Sequence, residues 1–204
     1  MTSCSAARIL GIDPGTRVAG YGLVEARADG TIRALAVGAW CLDEKLPLAA
    51  RLASLAIEFR RVVAAHSPQI VCVELPFVSN NARSALVLGS ARGVILSEAY
   101  QAGMEISEIA ATSAKKMITG NGYSDKERVM QTLQSLLRAD LSELPYDATD
   151  ALAIAYAHGL RRHGEGLVAK GTDSCPERSH LLKAWADSQK RTKRSIRAFA
   201  NSVR

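Results

Sequence analysis

The sequence lacks the features that mark membrane, secreted and thiolate-metal proteins. No apolar run approaches the roughly 20 residues needed to cross a bilayer. The opening residues, MTSCSAAR, contain no long apolar segment of the kind that export signals need. The four cysteines lie far apart and form no CxxC pair, which argues against a zinc site or a disulfide framework. We therefore predict a cytoplasmic protein that does not insert into a membrane.

Charged residues are unevenly distributed along the 204 residues, whose formal net charge is +6. Residues 1–160 hold 15 Lys and Arg against 16 Asp and Glu, whereas residues 161–204 hold 11 against 4. Because Lys and Arg displace counterions from a phosphate backbone, a basic tail on a nearly neutral body suits a polyanionic partner. The tail is also explained as a solvated, disordered terminus, and the two interpretations are compatible.

The hydrophobic pattern predicts one α/β domain over residues 1–160, followed by a basic linker and partly disordered tail over 161–204. Three strands separated by short turns predict an antiparallel meander at the start, and a later apolar segment that follows a helix predicts a buried strand parallel to the first. Strands are predicted at Arg8 to Ile12, Gly20 to Val24, Ile32 to Ala39, Ile70 to Val73 and Glu105 to Ile109. Together with the intervening helices they predict a mixed five-stranded sheet with helices on its faces.

Helix ends are predicted from the residues that usually cap them. Ser113 is expected to cap a short third helix, and Ser124 or Asp125 a fourth. The last strong helix is predicted from Asp147 to His158, with Gly159 in the left-handed position that ends helices.

Four carboxylates occupy positions typical of metal ligands. Asp13 and Glu74 each follow a buried strand, and both strands end at the edge where open sheets hold ligands. Asp147 and Asp150 are three residues apart, which places them on one face of a helix. Taken separately, the helix acids are explained by capping and a strand-end acid by a turn. Together the four favour Mg²⁺, and two such ions can hydrolyse a phosphodiester.

Four stretches of the sequence resemble the RuvC family over residues 8–158. They are ILGIDPGTRVAGYGLVE, VELPFVSNNARSALVLGSARG, KKMITGNGYSDKERV and DATDALAIAYAH. The resemblance implies a ribonuclease H-like fold and a homodimeric bacterial endonuclease that makes paired, symmetric nicks in Holliday junctions during DNA recombination and repair. It also implies two Mg²⁺ or Mn²⁺ ions in each active site, and the branch-migration proteins RuvA and RuvB as partners.

The same resemblance assigns roles to individual residues. The four acids match the family's catalytic, metal-binding acids, and Lys115 and Lys126 match two basic residues near the site. Phe77 matches an aromatic position where a ring can stack on an unpaired base. Further DNA contacts are expected from three basic residues: Arg17, Lys116 and Arg83. Without the resemblance, the lysines are explained as surface residues and Phe77 as a core or loop aromatic.

The sequence departs from the family pattern at five positions, which are Leu75, Pro76, Val87, Tyr123 and Arg128. The first three lie where loop and DNA contacts are expected, and the last two lie in or just after the glycine loop at residues 120–124. The resemblance therefore does not extend to the cleavage-site preference.

Three other functions stay open from the sequence. The segment GIDPGT also resembles the phosphate loop of actin- and hexokinase-like ATPases, but those enzymes close a second related domain over the nucleotide, which we do not expect in a chain of this length. A noncatalytic junction-binding protein would keep the basic surface. Another ribonuclease H-like nuclease, acting on RNA in hybrids or on flaps, would use the same four acids.

Overall fold

The computed structural model describes residues 6–75 and 82–171, with side chains described as far as residue 164. These ranges contain five strands, namely β1 (Ala7–Asp13), β2 (Val18–Ala26), β3 (Ile32–Cys41), β4 (Ile70–Glu74) and β5 (Glu105–Ile109). They form one sheet in the order β3-β2-β1-β4-β5. Strands β1 to β3 pair antiparallel, whereas β4 pairs parallel to both β1 and β5. The predicted meander, the parallel fourth strand and the mixed five-stranded sheet are all confirmed.

Within residues 6–75 and 82–171, five helices flank this sheet: α1 (Leu48–His66), α2 (Ala82–Gln101), α3 (Ala111–Thr119), α4 (Lys126–Leu137) and α5 (Tyr146–Gly171). Within the described ranges, no helix has the length and apolar character needed to cross a membrane.

The hydrophobic core lies in two layers, one on each face of the sheet. On one face, Leu10, Val71 and their neighbours pack against buried residues of α1 and α2, such as Phe59 and Ile95. On the other face, Ile9, Cys72 and their neighbours pack against α3, α4 and α5. Because successive residues of a strand point to opposite faces, strands β1 and β4 must be apolar at consecutive positions to fill both layers.

The start of α4 follows the predicted capping chemistry, but the start of α3 does not. Asp125 is the N-cap of α4, and its side chain accepts a hydrogen bond of 2.7 Å from the backbone N–H of Arg128. Helix α3 begins at Ala111, so the predicted cap at Ser113 is wrong. Ser113 lies inside the first turn, where its own N–H donates to the carbonyl of Ala110. The N-cap position is Ala110, which has no side chain able to cap, and the helix is anchored instead by burial of Ala114 and Ile118.

Gly159 does not end the last helix, which continues to Gly171. A Cβ at Gly159 would lie 2.9 Å from the Cδ1 of Ile32 and 3.4 Å from the Cβ of Ala26, so this glycine allows α5 to approach β2 and β3 closely. The next turn stays attached to the core, because Leu160 packs against it and the Arg161 guanidinium donates to Ser107 Oγ at 2.6 Å. The start of the predicted linker and tail over 161–204 is therefore helical as far as residue 171, and residues 172–204 lie outside the described residues.

One buried histidine, His158, is expected to contribute stability that is lost as the pH is lowered. Burial, and then the positive charges of Arg161 and Arg162, lower the pKa of His158 from 6.5 to about 4. In the unfolded chain this imidazole binds a proton below pH 6.5, whereas in the folded protein it stays neutral down to about pH 4. Its contribution of roughly 2–3 kcal/mol is therefore present above pH 6.5 and lost between pH 6.5 and 4.

Urea unfolding of His158→Gln at several pH values checks this expectation. Between pH 7 and pH 4.5 the unfolding free energy of the variant should fall less, or rise more, than that of the parent. Equal pH slopes for the parent and His158→Gln would contradict it.

Candidate active site

Carboxylates from three separate elements line one cleft of about 260 Å³. Asp13 ends β1, Glu74 ends the neighbouring parallel strand β4, and Asp150 lies in the first turns of α5. The same cleft is lined by Lys115 of α3 and Lys126 of α4. A water molecule takes about 30 Å³ of liquid volume, so the cleft has room for several waters or a hydrated ion. Three of the four acids expected to act together therefore line one cleft in the structure.

Glycines bring the start of α5 directly onto the sheet. A Cβ at Gly20 would overlap the carbonyl oxygen of Asp147, and one at Gly22 would overlap the Cα of Leu152. Gly20 pairs with Asp13 across β1 and β2. Any side chain at these positions would lift α5, and the acids it carries, away from the acid of β1.

The carboxylates repel one another strongly. Burial, and then the negative charges of Glu74, Asp150 and Asp147, raise the pKa of Asp13 to about 7. Burial also raises the pKa of Glu74, whose side chain shares a hydrogen bond with Asp13. Asp147 lines no part of the cleft itself but is near enough to act on Asp13 electrostatically. Such a cluster is stabilised by cations or by protons, since like charges in a partly buried site cannot all remain ionised unopposed.

Lys126 supplies one of these positive charges. Its Nζ lies 2.7 Å from Asp150 Oδ2, and its side chain is 51% exposed. Burial tends to lower the pKa of this lysine, but the hydrogen bond with Asp150 and the charges of Asp150, Asp147 and Asp13 outweigh it, so the net shift is upward. Lys126 therefore stays protonated beside the acids.

Tyr146, which the sequence analysis did not single out, supports Lys126. Its ring centroid lies 5.6 Å from the Nζ, within the range of a cation–π contact. The sequence feature that could have identified Tyr146 is its position at the start of α5, four residues before Asp150. This spacing places the two residues on the same helix face.

Lys115 joins the cleft to the glycine loop at residues 120–124. Its Nζ donates to the carbonyl oxygen of Ser124 at 2.9 Å. This hydrogen bond fixes the loop against α3, and it leaves the charge of Lys115 at the wall of the cleft.

The structure describes three of the four residues that are expected to contact DNA. Arg17 forms an exposed ion pair with Glu44, which DNA would have to break to use the guanidinium. Lys116 is exposed on α3, next to Lys115, and Arg83 is exposed in the first turn of α2. Phe77 lies outside the described residues.

The donor chemistry of the cleft fits a hard divalent cation, because all four acids offer oxygen ligands and their crowding favours added positive charge. Among the described residues, no three His, Cys, Asp or Glu side chains already stand as a metal-binding group. The acids are held instead by the Asp13–Glu74 hydrogen bond and by Lys126. A bound cation would compete with both contacts.

A family model and individual relatives match this sequence under the same name. The family model described as Crossover junction endodeoxyribonuclease RuvC matches residues 9–158. A relative of that name from Pelobacter propionicus is 40% identical over 173 residues, which cover 84% of this chain and 95% of the relative.

Solved structures agree with this match. The Thermus thermophilus RuvC structure aligns with a TM-score of 0.69 and 28% identity, covering 77% of this chain and 96% of that one. T. thermophilus RuvC in complex with Holliday junction substrate aligns with a TM-score of 0.70 and 24% identity over the same shares. The predicted ribonuclease H-like fold is confirmed by this likeness. By sequence and by fold, the chain belongs to the RuvC family of crossover junction endodeoxyribonucleases.

Proposed function

We propose that this protein resolves Holliday junctions by paired, symmetric nicks in DNA recombination and repair. One observation carries the proposal: acids from β1, β4 and α5 meet two lysines in a single open cleft. Family membership narrows the chemistry of such a cleft to hydrolysis of DNA phosphodiesters. The related T. thermophilus protein has been solved with a Holliday junction substrate, which supports a four-way junction as the substrate here.

In this proposal Asp13, Glu74, Asp147 and Asp150 bind two Mg²⁺ ions, for which Mn²⁺ can substitute. When bound, these ions supply an activated water and neutralise charge on the leaving 3′ oxygen. Two observations support the ligand set: the donors are all oxygens, and the pKa values of Asp13 and Glu74 are raised, first by burial and then by the negative charge of neighbouring acids.

The two lysines act on the phosphate. Both line the cleft with the acids, so a phosphate bound there lies within reach of two cationic side chains. Negative charge on the phosphate increases in the transition state, and fixed positive charges in a partly water-excluded site stabilise it. Contacts with Asp150 and with the ring of Tyr146 already restrict the Lys126 side chain. Lys126 therefore loses less conformational entropy when a phosphate binds.

A homodimer is the proposed assembly, with α2 at its interface. Ala91, Ile95 and Ala99 of α2 face the core of the monomer, whereas Leu86 is 73% exposed on another face. On this outer face a Cβ at Gly89 or Gly93 would meet no described residue within 4 Å, so a second helix could approach closely. Two equivalent strands of a four-way junction call for two equivalent active sites, which a twofold dimer provides.

Leu86→Glu is expected to weaken dimerisation by about 30-fold or more, because it places a charge in a closely packed apolar contact. Sedimentation velocity over a range of concentrations measures this change. Leu136→Glu, which alters an exposed leucine of α4, is the matched control and should leave the dimer intact. A parent that sediments as a monomer, or a Leu86→Glu dimer as stable as the parent, would contradict the proposed interface.

The remaining proposals concern location and partners. We place the protein in the cytoplasm, acting with RuvA and RuvB. The predicted division into a nuclease domain over 1–160 and a basic tail over 161–204 is kept as part of the proposal. In it, the tail adds sequence-independent contacts to DNA phosphates.

The test of the proposed function is nick mapping on a mobile synthetic four-way junction, end-labelled on each strand in turn, with Mg²⁺. We expect nicks at symmetric positions in two opposite strands, and products whose nicks a ligase can seal. A matched linear duplex should stay intact. Binding without cutting would instead support a junction-binding protein, and preferential cutting of RNA–DNA hybrids or flaps would support another ribonuclease H-like nuclease.

A further inference from the structure

The glycine loop at residues 120–124 carries an aromatic side chain that the fold does not use. Tyr123 is 91% exposed, more than any other large apolar side chain in the described part of the chain. Its ring fills no part of either core layer. Such an exposed ring gains free energy only if a ligand covers it.

The loop holds this ring in a defined place. The Thr119 hydroxyl contacts the carbonyl oxygens of Lys115 and Asn121 and the hydroxyl of Ser124, at 2.8 to 2.9 Å. The side-chain oxygen of Asn121 accepts a hydrogen bond of 3.0 Å from the backbone N–H of Tyr123. The backbone that carries the ring is therefore braced on both sides. A loop that is already ordered by hydrogen bonds loses less conformational entropy than a free loop does when its aromatic ring binds a ligand.

The residue that carries the ring is a near neighbour, along the chain, of residues that contact the acidic cleft or line it. Ser124, the next residue, accepts its hydrogen bond from Lys115, which lines the cleft. Lys126, which contacts Asp150, follows two residues later. Because neighbouring Cα atoms are about 3.8 Å apart, the Cα of Tyr123 lies at most about 11 Å from that of Lys126, which brings a nucleotide next to a phosphate in the cleft within reach of the ring.

We propose that Tyr123 stacks on a nucleobase next to the scissile phosphate and thereby influences which junction sequences are cut. This inference rests on the proposed function. Every base offers a π face, but stacking strength differs among bases, and a base at a junction is more easily unstacked than one in a continuous duplex. Tyr123 is then a residue that determines specificity, while the acids and lysines act on the phosphate.

The test uses the full-length protein and junctions that carry 2-aminopurine at single positions on either side of the cleavage site. Binding is measured in an Asp13→Asn background, which keeps the junction uncut. Stacking on Tyr123 should quench the fluorescence at one position, Tyr123→Phe should keep the quenching, and Tyr123→Ala should lose it. Leu136→Ala, which shortens an exposed apolar side chain at the end of α4 far from Lys126, is the matched control and should keep the quenching.

Cleavage rates give the second readout, with each of the four bases placed in turn at the quenched position. Tyr123→Ala should slow cutting of the favoured junction by about 5- to 50-fold and reduce the ratio between favoured and disfavoured bases. Unchanged quenching and unchanged ratios in Tyr123→Ala would overturn this inference alone, and so would equal losses in Tyr123→Phe and Tyr123→Ala. Failure of the parent itself to bind or cut junctions would overturn the proposed function and this inference with it.

Discussion

Replacing Asp13 with Asn should reduce junction cutting by more than about 1,000-fold while junction binding stays close to that of the parent. The substitution keeps the size of the side chain but removes the charge at the centre of the acidic cluster, where Glu74, Asp147 and Asp150 all act on it. Loss of several kcal/mol of metal-dependent stabilisation of the transition state corresponds to this change in rate. Binding depends mainly on contacts between basic side chains and phosphates, which the substitution leaves in place.

Gel-shift titration measures the binding, and single-turnover cleavage with Mg²⁺ measures the rate. The matched control is Asp29→Asn, in the turn between β2 and β3, beyond the end of β2 that is remote from Asp13. Asp29 is exposed, and its side chain accepts a hydrogen bond from the backbone of Thr31, which Asn can also accept. If the Asp13→Asn protein cut junctions at the parental rate, this carboxylate would have no part in the chemistry. If it no longer bound junctions, the substitution would have disturbed the DNA-binding surface of the protein.

The second large effect is expected from Gly22→Ala, a change of one methyl group outside the cleft. The added Cβ would overlap the Cα of Leu152, which belongs to the backbone of α5 and cannot rotate away. We expect about 3 kcal/mol of lost stability, at the upper end for overpacking, because α5 must move off β2. The same movement carries Asp147 and Asp150 away from Asp13. Since a displacement of about 1 Å in an active site can cost 100-fold, cutting should fall by at least that factor.

Gly164→Ala is the control for this substitution, because it also adds a methyl group to a glycine, here within α5 itself. A Cβ at Gly164 would meet nothing within 4 Å. It should therefore leave cutting unchanged and stabilise the helix by up to about 1 kcal/mol. Thermal unfolding and single-turnover cleavage at a temperature where both variants are folded separate the two effects. A Gly22→Ala protein with parental stability and rate would show that α5 need not lie this close to the sheet.

The sequence was most informative where a pattern reflected burial. The runs before Asp13 and Glu74 had to be strands of a buried sheet, and their acids therefore had to lie at one edge. The position of Asp125 before an amphipathic segment likewise predicted a cap that is present. Such signals are local, since the residues that decide the structure are neighbours in the chain.

The sequence was less informative where a distant contact decides the local structure. Gly159 has the chemistry of a helix cap, yet it lies inside α5 because Ile32 and Ala26, more than 100 residues away, leave no room for a side chain. In the cleft, the positions of the acids could be predicted, but the ring of Tyr146 against Lys126 depends on how α4 and α5 cross. The pairing of Arg17 with Glu44 depends in the same way on a loop contact that no periodicity indicates.

The central claim is that two equivalent sites cut one junction together, and a supercoiled plasmid that extrudes a cruciform tests it most directly. Two symmetric cuts within the lifetime of one protein–junction complex convert the circle to a linear molecule. A single cut relaxes the plasmid, so the cruciform is reabsorbed and only a nicked circle remains. We predict that linear plasmid appears without prior accumulation of nicked circles. Nicked circles as the lasting product, with little linear DNA, would contradict paired resolution.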